Sequence, residues 1–187
     1  MSKKEIHRCG WELSSPKMMA YHDNRWCKPC HDDNELFAML ILEGAQAGLS
    51  WSTIIEKEEN YRKAFDGFDP VKVAAYDDAK IEQLMHNEGI IRNRLKINAA
   101  VTNARAFLKV QEQFGSFDNY IWSFTDGKTI DHHLKDVSET PATSELSEKV
   151  SKDLKKRGFK FVGPTIIYSY LQGIGMYNDH IIGCDFR

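Results

Sequence analysis

The stretch KKRGFKFVGPT, Lys155 to Thr165, joins two segments of helical spacing through an interval bounded by Gly158 and Gly163. Upstream, Leu146, Val150 and Leu154 mark one face of a helix that ends at Arg157-Gly158. Downstream, Pro164 opens the apolar segment PTIIYSYLQGIG. The glycines permit a tight reversal, and a reversal that feeds a helix N-terminus presents backbone N–H groups suited to a phosphate. Lys155, Lys156, Arg157 and Lys160 add positive charge there, although cations at a helix end also simply complement its macrodipole. The pattern reads as a helix-hairpin-helix module over about 146–175, with Gly158, Lys160, Gly163, Thr165, Lys155 and Lys156 as DNA-contact candidates.

Outward from the hairpin, apolar positions keep helical spacing, as in Leu36, Phe37, Leu40 and Ile41, or Ile81, Leu84 and Met85. Helix starts are expected at Asp33-Asn34, Ser50, Asp69-Pro70 and Asp77-Asp78. A longer helix is expected from Arg92 to Gln113, with Ile97, Val101, Ala104 and Leu108 on its buried stripe. The polar, Pro-interrupted stretch from Asp126 to Glu145 reads as a long loop that leaves His132 and His133 in solvent. Strand patterns are absent, so the expected class is all-α, one domain over residues 1–187. The N-terminus lacks the apolar run of a secretory signal, and no membrane-length apolar segment occurs, which points to the cytoplasm. A net charge of −2 confines any nucleic-acid surface to a local patch.

Two of the four cysteines lie in WCKPCH, Trp26 to His31. As C-x-x-C-H it would suit haem attachment in an exporting compartment, and as C-x-x-C a dithiol in a βαβ unit; neither context is present. The other two have histidine partners: Cys9 with His22, and His180 with Cys184 at an i,i+4 spacing expected to point both side chains from one helical turn. Cys9, His22, His180 and Cys184 would make a closed tetrahedral set tying the two termini together. Spacing alone leaves isolated buried residues as the alternative.

LEGAQAGLSW, Leu42 to Trp51, sets Glu43 among apolar residues, where a carboxylate is costly without a partner. Trp11, Tyr21, Trp26 and Trp51 lie in nearby motifs. Aromatic walls with one carboxylate suit a flat cationic ring, whereas ordinary core aromatics are the plainer alternative.

In order, CGW, AYHDNRW, LEGAQAGLSW, FDPVKVA, GIIRNRLKI, LKKRGFKFVGPT and NDHIIGC closely resemble the 3-methyladenine DNA glycosylase I family, over nearly the whole chain. The resemblance implies a helix-hairpin-helix glycosylase fold with a structural zinc at Cys9, His22, His180 and Cys184 joining the N- and C-terminal segments. It also implies a base pocket of Glu43, Tyr21 and Trp51, with Trp11 and Trp26 nearby, and Glu43 in the catalytic role. The substrate would be double-stranded DNA carrying alkylated bases, with no membrane and no obligate protein partner. The family commonly has glycine at the position of Cys27, which leaves Cys27 and Cys30 outside the metal site. Asn178 stands where wider relatives carry an activating aspartate. Pro164 and Thr165 follow Gly163 where bifunctional relatives carry a Schiff-base lysine, so the implied product is an intact abasic site.

Overall fold

In a computed structural model, the structure describes residues 6–187. Among the described residues nine α-helices carry the fold: α1 (Pro16–Asn24), α2 (Asp33–Gln46), α3 (Trp51–Ala64), α4 (Pro70–Ala74), α5 (Asp78–Met85), α6 (Arg94–Phe114), α7 (Phe117–Trp122), α8 (Glu145–Lys156) and α9 (Pro164–Gly173). Helix starts follow capping chemistry. The side chains of Ser15, Asp32, Ser50, Asp69, Asp77, Asn93, Ser116 and Ser144 each accept an N–H from the first turn of the helix that follows. Helix α9 differs: Gly163 stands at its N-cap and supplies no side-chain bond. The cap of α2 is therefore Asp32 rather than Asp33, and α6 starts after Asn93 instead of at Arg92.

Helix α2 is the centre of the molecule. Leu36 to Ala45 are all buried, and the helix packs against α3, α6, α7 and α9. A helix apolar all round needs such enclosure. Along α6 the buried stripe includes Ile97, Val101, Ala104, Phe107 and Val110, whereas Leu108 is only half-buried. The expected stripe drifted because Phe107 packs edge-on to Phe37, with ring centroids 5.1 Å apart, and stacks on Phe117 at 4.2 Å.

The long polar segment is more tied down than its composition suggests. Residues Ile130–Asp131 (β1) pair in parallel with Tyr177–Asn178 (β2), the one sheet among the described residues. His132, expected in solvent, is only 29% exposed, with Nδ1 2.6 Å from the buried Asp179 carboxylate; His133 is exposed as expected. Among the described residues no helix is long and apolar enough to cross a membrane.

The WCKPCH stretch is a backbone clamp on the end of α9. The Cys27 N–H donates to the Gln172 carbonyl at 2.9 Å, and the Cys30 N–H to that of Ile174 at 2.9 Å. Cys27 has φ 60, a conformation that glycine adopts without strain and that accounts for the resemblance at this position. Opposite it, a Cβ on Gly175 would lie 2.1 Å from the Lys28 carbonyl carbon, so only glycine fits. Burial pushes both the Cys27 and Cys30 thiols up, away from reactive thiolates.

Candidate active site and metal centre

Helix α1 builds two sites at once, because successive helical side chains diverge by about 100°. Tyr21 turns to one side and lines a cavity of about 320 Å³, while its neighbour His22 turns to a cluster of Cys9, His180 and Cys184.

The cavity walls are aromatic. Trp11 and Trp26 meet edge to face with centroids 4.9 Å apart, and Trp51 lies 5.4 Å from Tyr21. Trp51 is positioned by Ser50, which caps α3 and places the indole in its first turn. Glu43 enters from the last turns of α2, whose C-terminus is held by Lys96: its Nζ donates to the carbonyls of Ala45 at 2.8 Å and Ala47 at 2.6 Å. Glu43 is 3% exposed, and burial alone pushes its carboxyl up to about 8, with no cation or donor among the described residues offsetting the loss of water. Burial, and after it the nearby Glu43, hold the Tyr21 hydroxyl well above its ordinary range.

All five residues expected at a base pocket, Glu43, Tyr21, Trp51, Trp11 and Trp26, line this one cavity. Sequence reasoning did not assign the rest of the wall. Gln46 sits beyond Glu43, Ser169 and Gln172 face in from α9 at an i,i+3 spacing, and Val137 and Thr140 come from the long loop. A glutamine inside the apolar run of α9 was the available signal for Gln172.

The four metal candidates are buried together, their ligand atoms all within 4.8 Å of one another. Cys9 Sγ is 3.6 Å and Cys184 Sγ 3.4 Å from His180 Nδ1, and Cys184 Sγ is 3.7 Å from His22 Nε2. A tetrahedral ion with metal–sulfur bonds of about 2.3 Å and metal–nitrogen bonds of about 2.0–2.1 Å gives edges of roughly 3.6 Å, so the set fits. The second ring nitrogens are also engaged. His22 Nδ1 is 2.8 Å from Asp23 Oδ1, itself gripped by Arg8, and His180 Nε2 donates to the Trp26 carbonyl at 3.2 Å. Burial, reinforced by His22, pushes His180 down to about 4, which keeps it the neutral imidazole a metal ligand must be. His180 and Cys184 do not lie on a helix as expected; a turn in which the Cys184 N–H donates to the Ile181 carbonyl aims both. Cys27 and Cys30 are outside the cluster.

The expected DNA-contact residues form one exposed end of the molecule. Lys155, Lys156, Gly158, Lys160 and Thr165 are exposed and Gly163 is half-buried. Arg157 is not part of that face: it pairs with Asp153 at 2.6 Å and lies over the Phe114 and Tyr120 rings. Gly158 has φ 94 as the reversal requires, but Gly163 has φ −62, and the other left-handed residue is Phe161 at φ 55. The Lys160 N–H is also taken, by Asn103 Oδ1 at 2.7 Å, which leaves the uncapped start of α9 as the donor surface.

The chain matches the family model for methyladenine glycosylase over residues 11–187. It is 48% identical to DNA-3-methyladenine glycosylase 1 of Escherichia coli K12 over 179 residues, covering 96% of each chain. To DNA-3-methyladenine glycosylase of Haemophilus influenzae it is 42% identical, covering 95% of this chain and 96% of that one. Its fold is similar to that of 3-methyladenine DNA glycosylase I from Staphylococcus aureus, in a structure showing the basis of 3-methyladenine recognition. The TM-score is 0.93 at 37% identity, covering 97% of this chain and 96% of the other. With the match running from Trp11 to the last residue, the chain belongs to the methyladenine glycosylase family.

Proposed function

We propose that the aromatic cavity receives a 3-methyladenine extruded from duplex DNA and that the chain hydrolyses its glycosidic bond, leaving an abasic site. The activity is that of a DNA-3-methyladenine glycosylase in DNA repair. What carries the pocket assignment is Glu43, a carboxyl buried among aromatics with no partner among the described residues to offset its desolvation. Such a group is stabilised by a cationic, donor-bearing ring, and methylation at ring nitrogen 3 makes adenine cationic. Trp51 would stack on the base and Tyr21 offer its hydroxyl, while Trp11 and Trp26 close the wall.

The base becomes neutral as it leaves, so attraction for the cation alone would favour substrate over transition state. Glu43 therefore has the further task of stabilising the positive charge that develops on the sugar. Asn178 is half-buried in β2, so no carboxylate stands there, and a labile cationic substrate tolerates that.

The reading includes a structural zinc at Cys9, His22, His180 and Cys184, supported by their geometry and donor chemistry. It includes a helix-hairpin-helix contact with one DNA strand through Gly158, Lys160, Gly163, Thr165, Lys155 and Lys156, supported by the uncapped α9 start beside exposed lysines. A single domain acting in the cytoplasm on double-stranded DNA, with no obligate protein partner, completes it.

Incubation of purified protein with a methylated duplex tests the reaction. Free 3-methyladenine should be released, the strands should stay unbroken until heat or alkali is applied, and borohydride should trap no protein–DNA adduct. No released base would overturn the reading, and a trapped adduct would overturn its hydrolytic step.

A further inference from the structure

Asp179 is fully buried, one residue before His180, and its carboxylate is a hub. Oδ2 accepts from the Tyr168 hydroxyl at 2.7 Å and from Gln172 Nε2 at 2.7 Å, and Oδ1 lies 2.6 Å from His132 Nδ1. The Asp179 N–H donates to Cys27 Sγ at 3.3 Å. A carboxylate is acceptor-only, so the amide of Gln172 can meet it only through its NH₂ end. The carbonyl end is left over. Oε1 has no partner among the described residues, and Gln172 lines the cavity. The residue is also anchored from behind, since its backbone carbonyl accepts from the Cys27 N–H at 2.9 Å.

We infer that Gln172 reads the flipped base as a fixed hydrogen-bond acceptor and that Asp179, by holding the amide, is the positioning residue that sets this polarity; this rests on the cavity being the base pocket. Adenine carries an amino group at its six position, with two N–H donors, one for Glu43 and one for Gln172 Oε1. Guanine carries a carbonyl oxygen there, which would face the Gln172 oxygen acceptor to acceptor. A site built to bond an N–H discriminates against the analogue that lacks it, because its own acceptor is left unpaired. Gln172 is thereby a determinant of adenine over guanine among 3-methylated purines.

The test compares tryptophan-fluorescence titrations with free 3-methyladenine and free 3-methylguanine, and single-turnover excision of each base from duplex DNA. Gln172→Leu, of similar volume and without polar atoms, should weaken 3-methyladenine binding roughly tenfold, change 3-methylguanine little, and collapse the ratio between them. Asp179→Asn lets the amide turn over and should shift the same ratio in the same direction. Should that variant not fold, Gln172→Leu decides alone. A folded Gln172→Leu protein that retains its ion and the wild-type ratio overturns the inference, and a folded Asp179→Asn protein with that ratio overturns the positioning role. Glu43→Gln and Trp51→Ala separate the two levels. Wild-type base binding in these as well means the cavity is not the base pocket, whereas loss in these alone means only that Gln172 does not read the base.

Discussion

Asn103 in α6 closes both backbone groups of Lys160 in the hairpin: its Oδ1 accepts from the Lys160 N–H at 2.7 Å and its Nδ2 donates to the Lys160 carbonyl at 3.0 Å. Asn103 is 3% exposed, so the bonds tie the exposed hairpin to a buried polar side chain. Asn103→Ala should destabilise the protein by roughly 1–3 kcal/mol, about 0.5–1.5 kcal/mol for each lost hydrogen bond. DNA affinity should fall with it, through a loosened hairpin. Urea unfolding and a binding isotherm on the same preparation check this; unchanged stability would mean that the hairpin holds its shape without α6.

Glu43 makes stability pH-dependent in a direction opposite to most carboxylates. Its folded-state value of about 8 lies above the ordinary 4.5, so between those limits the folded protein keeps a proton that the unfolded chain releases. Stability should therefore fall as pH rises from about 4.5 to about 8 and level off beyond. Glu43→Gln lacks this titration. The variant should match the wild type in acid and exceed it increasingly up to pH 8, by on the order of a few kcal/mol, while losing base excision. Denaturation midpoints across that range give the answer, and parallel curves for the two proteins would show that Glu43 is paired in solution.

Local chemistry was legible in the sequence; long-range pairing was not. Ser50, Asp69 and Asp77 start their helices as their short polar side chains dictate, because a cap needs only a neighbour three residues on. The aromatic cavity and the metal cluster were readable as residue types whose burial demands a partner. By contrast, nothing in the pattern around Asn103 indicates Lys160, 57 residues away, and nothing around His132 indicates Asp179, 47 residues away. A polar loop reads as solvated until the partner that buries it is known. The resemblance to a family set the roles of the motifs, but Gln172 lies outside them, and Asp179, within NDHIIGC, carried no role there.

Lys155, Lys156 and Lys160 are exposed, with no ion pair to lose among the described residues, and they flank the hairpin that leads to the uncapped start of α9. Replacing all three with glutamine should leave thermal stability nearly unchanged and weaken DNA binding across sequences. The slope of log affinity against log salt should drop by up to about one unit for each lysine that contacts a phosphate. An unchanged slope would move the DNA interface away from this end of the molecule.

His180 couples the metal candidates to the cavity. Its Nδ1 faces the two sulfurs at 3.4 and 3.6 Å, and its Nε2 donates to the carbonyl of Trp26, a cavity wall. The His22 ring stacks near the same indole with centroids 5.7 Å apart, and the His180 ring meets it edge-on at 4.7 Å. An ion bound by Cys9, His22, His180 and Cys184 would thus fix Trp26 as well as the termini. Closed four-ligand zinc sites contribute binding free energy of about 10–16 kcal/mol in small domains, so even a fraction of it is large against ordinary stability. Elemental analysis should find one zinc per chain in the wild type and in Cys27→Ser, and none in Cys9→Ser. Stripping the ion with a strong chelator should lower the unfolding midpoint, shift tryptophan emission, and weaken binding of free 3-methyladenine although no ligand of the ion touches the base. If the stripped protein binds the base as tightly as before, the metal centre only joins the termini and Trp26 is held by its packing against Trp11.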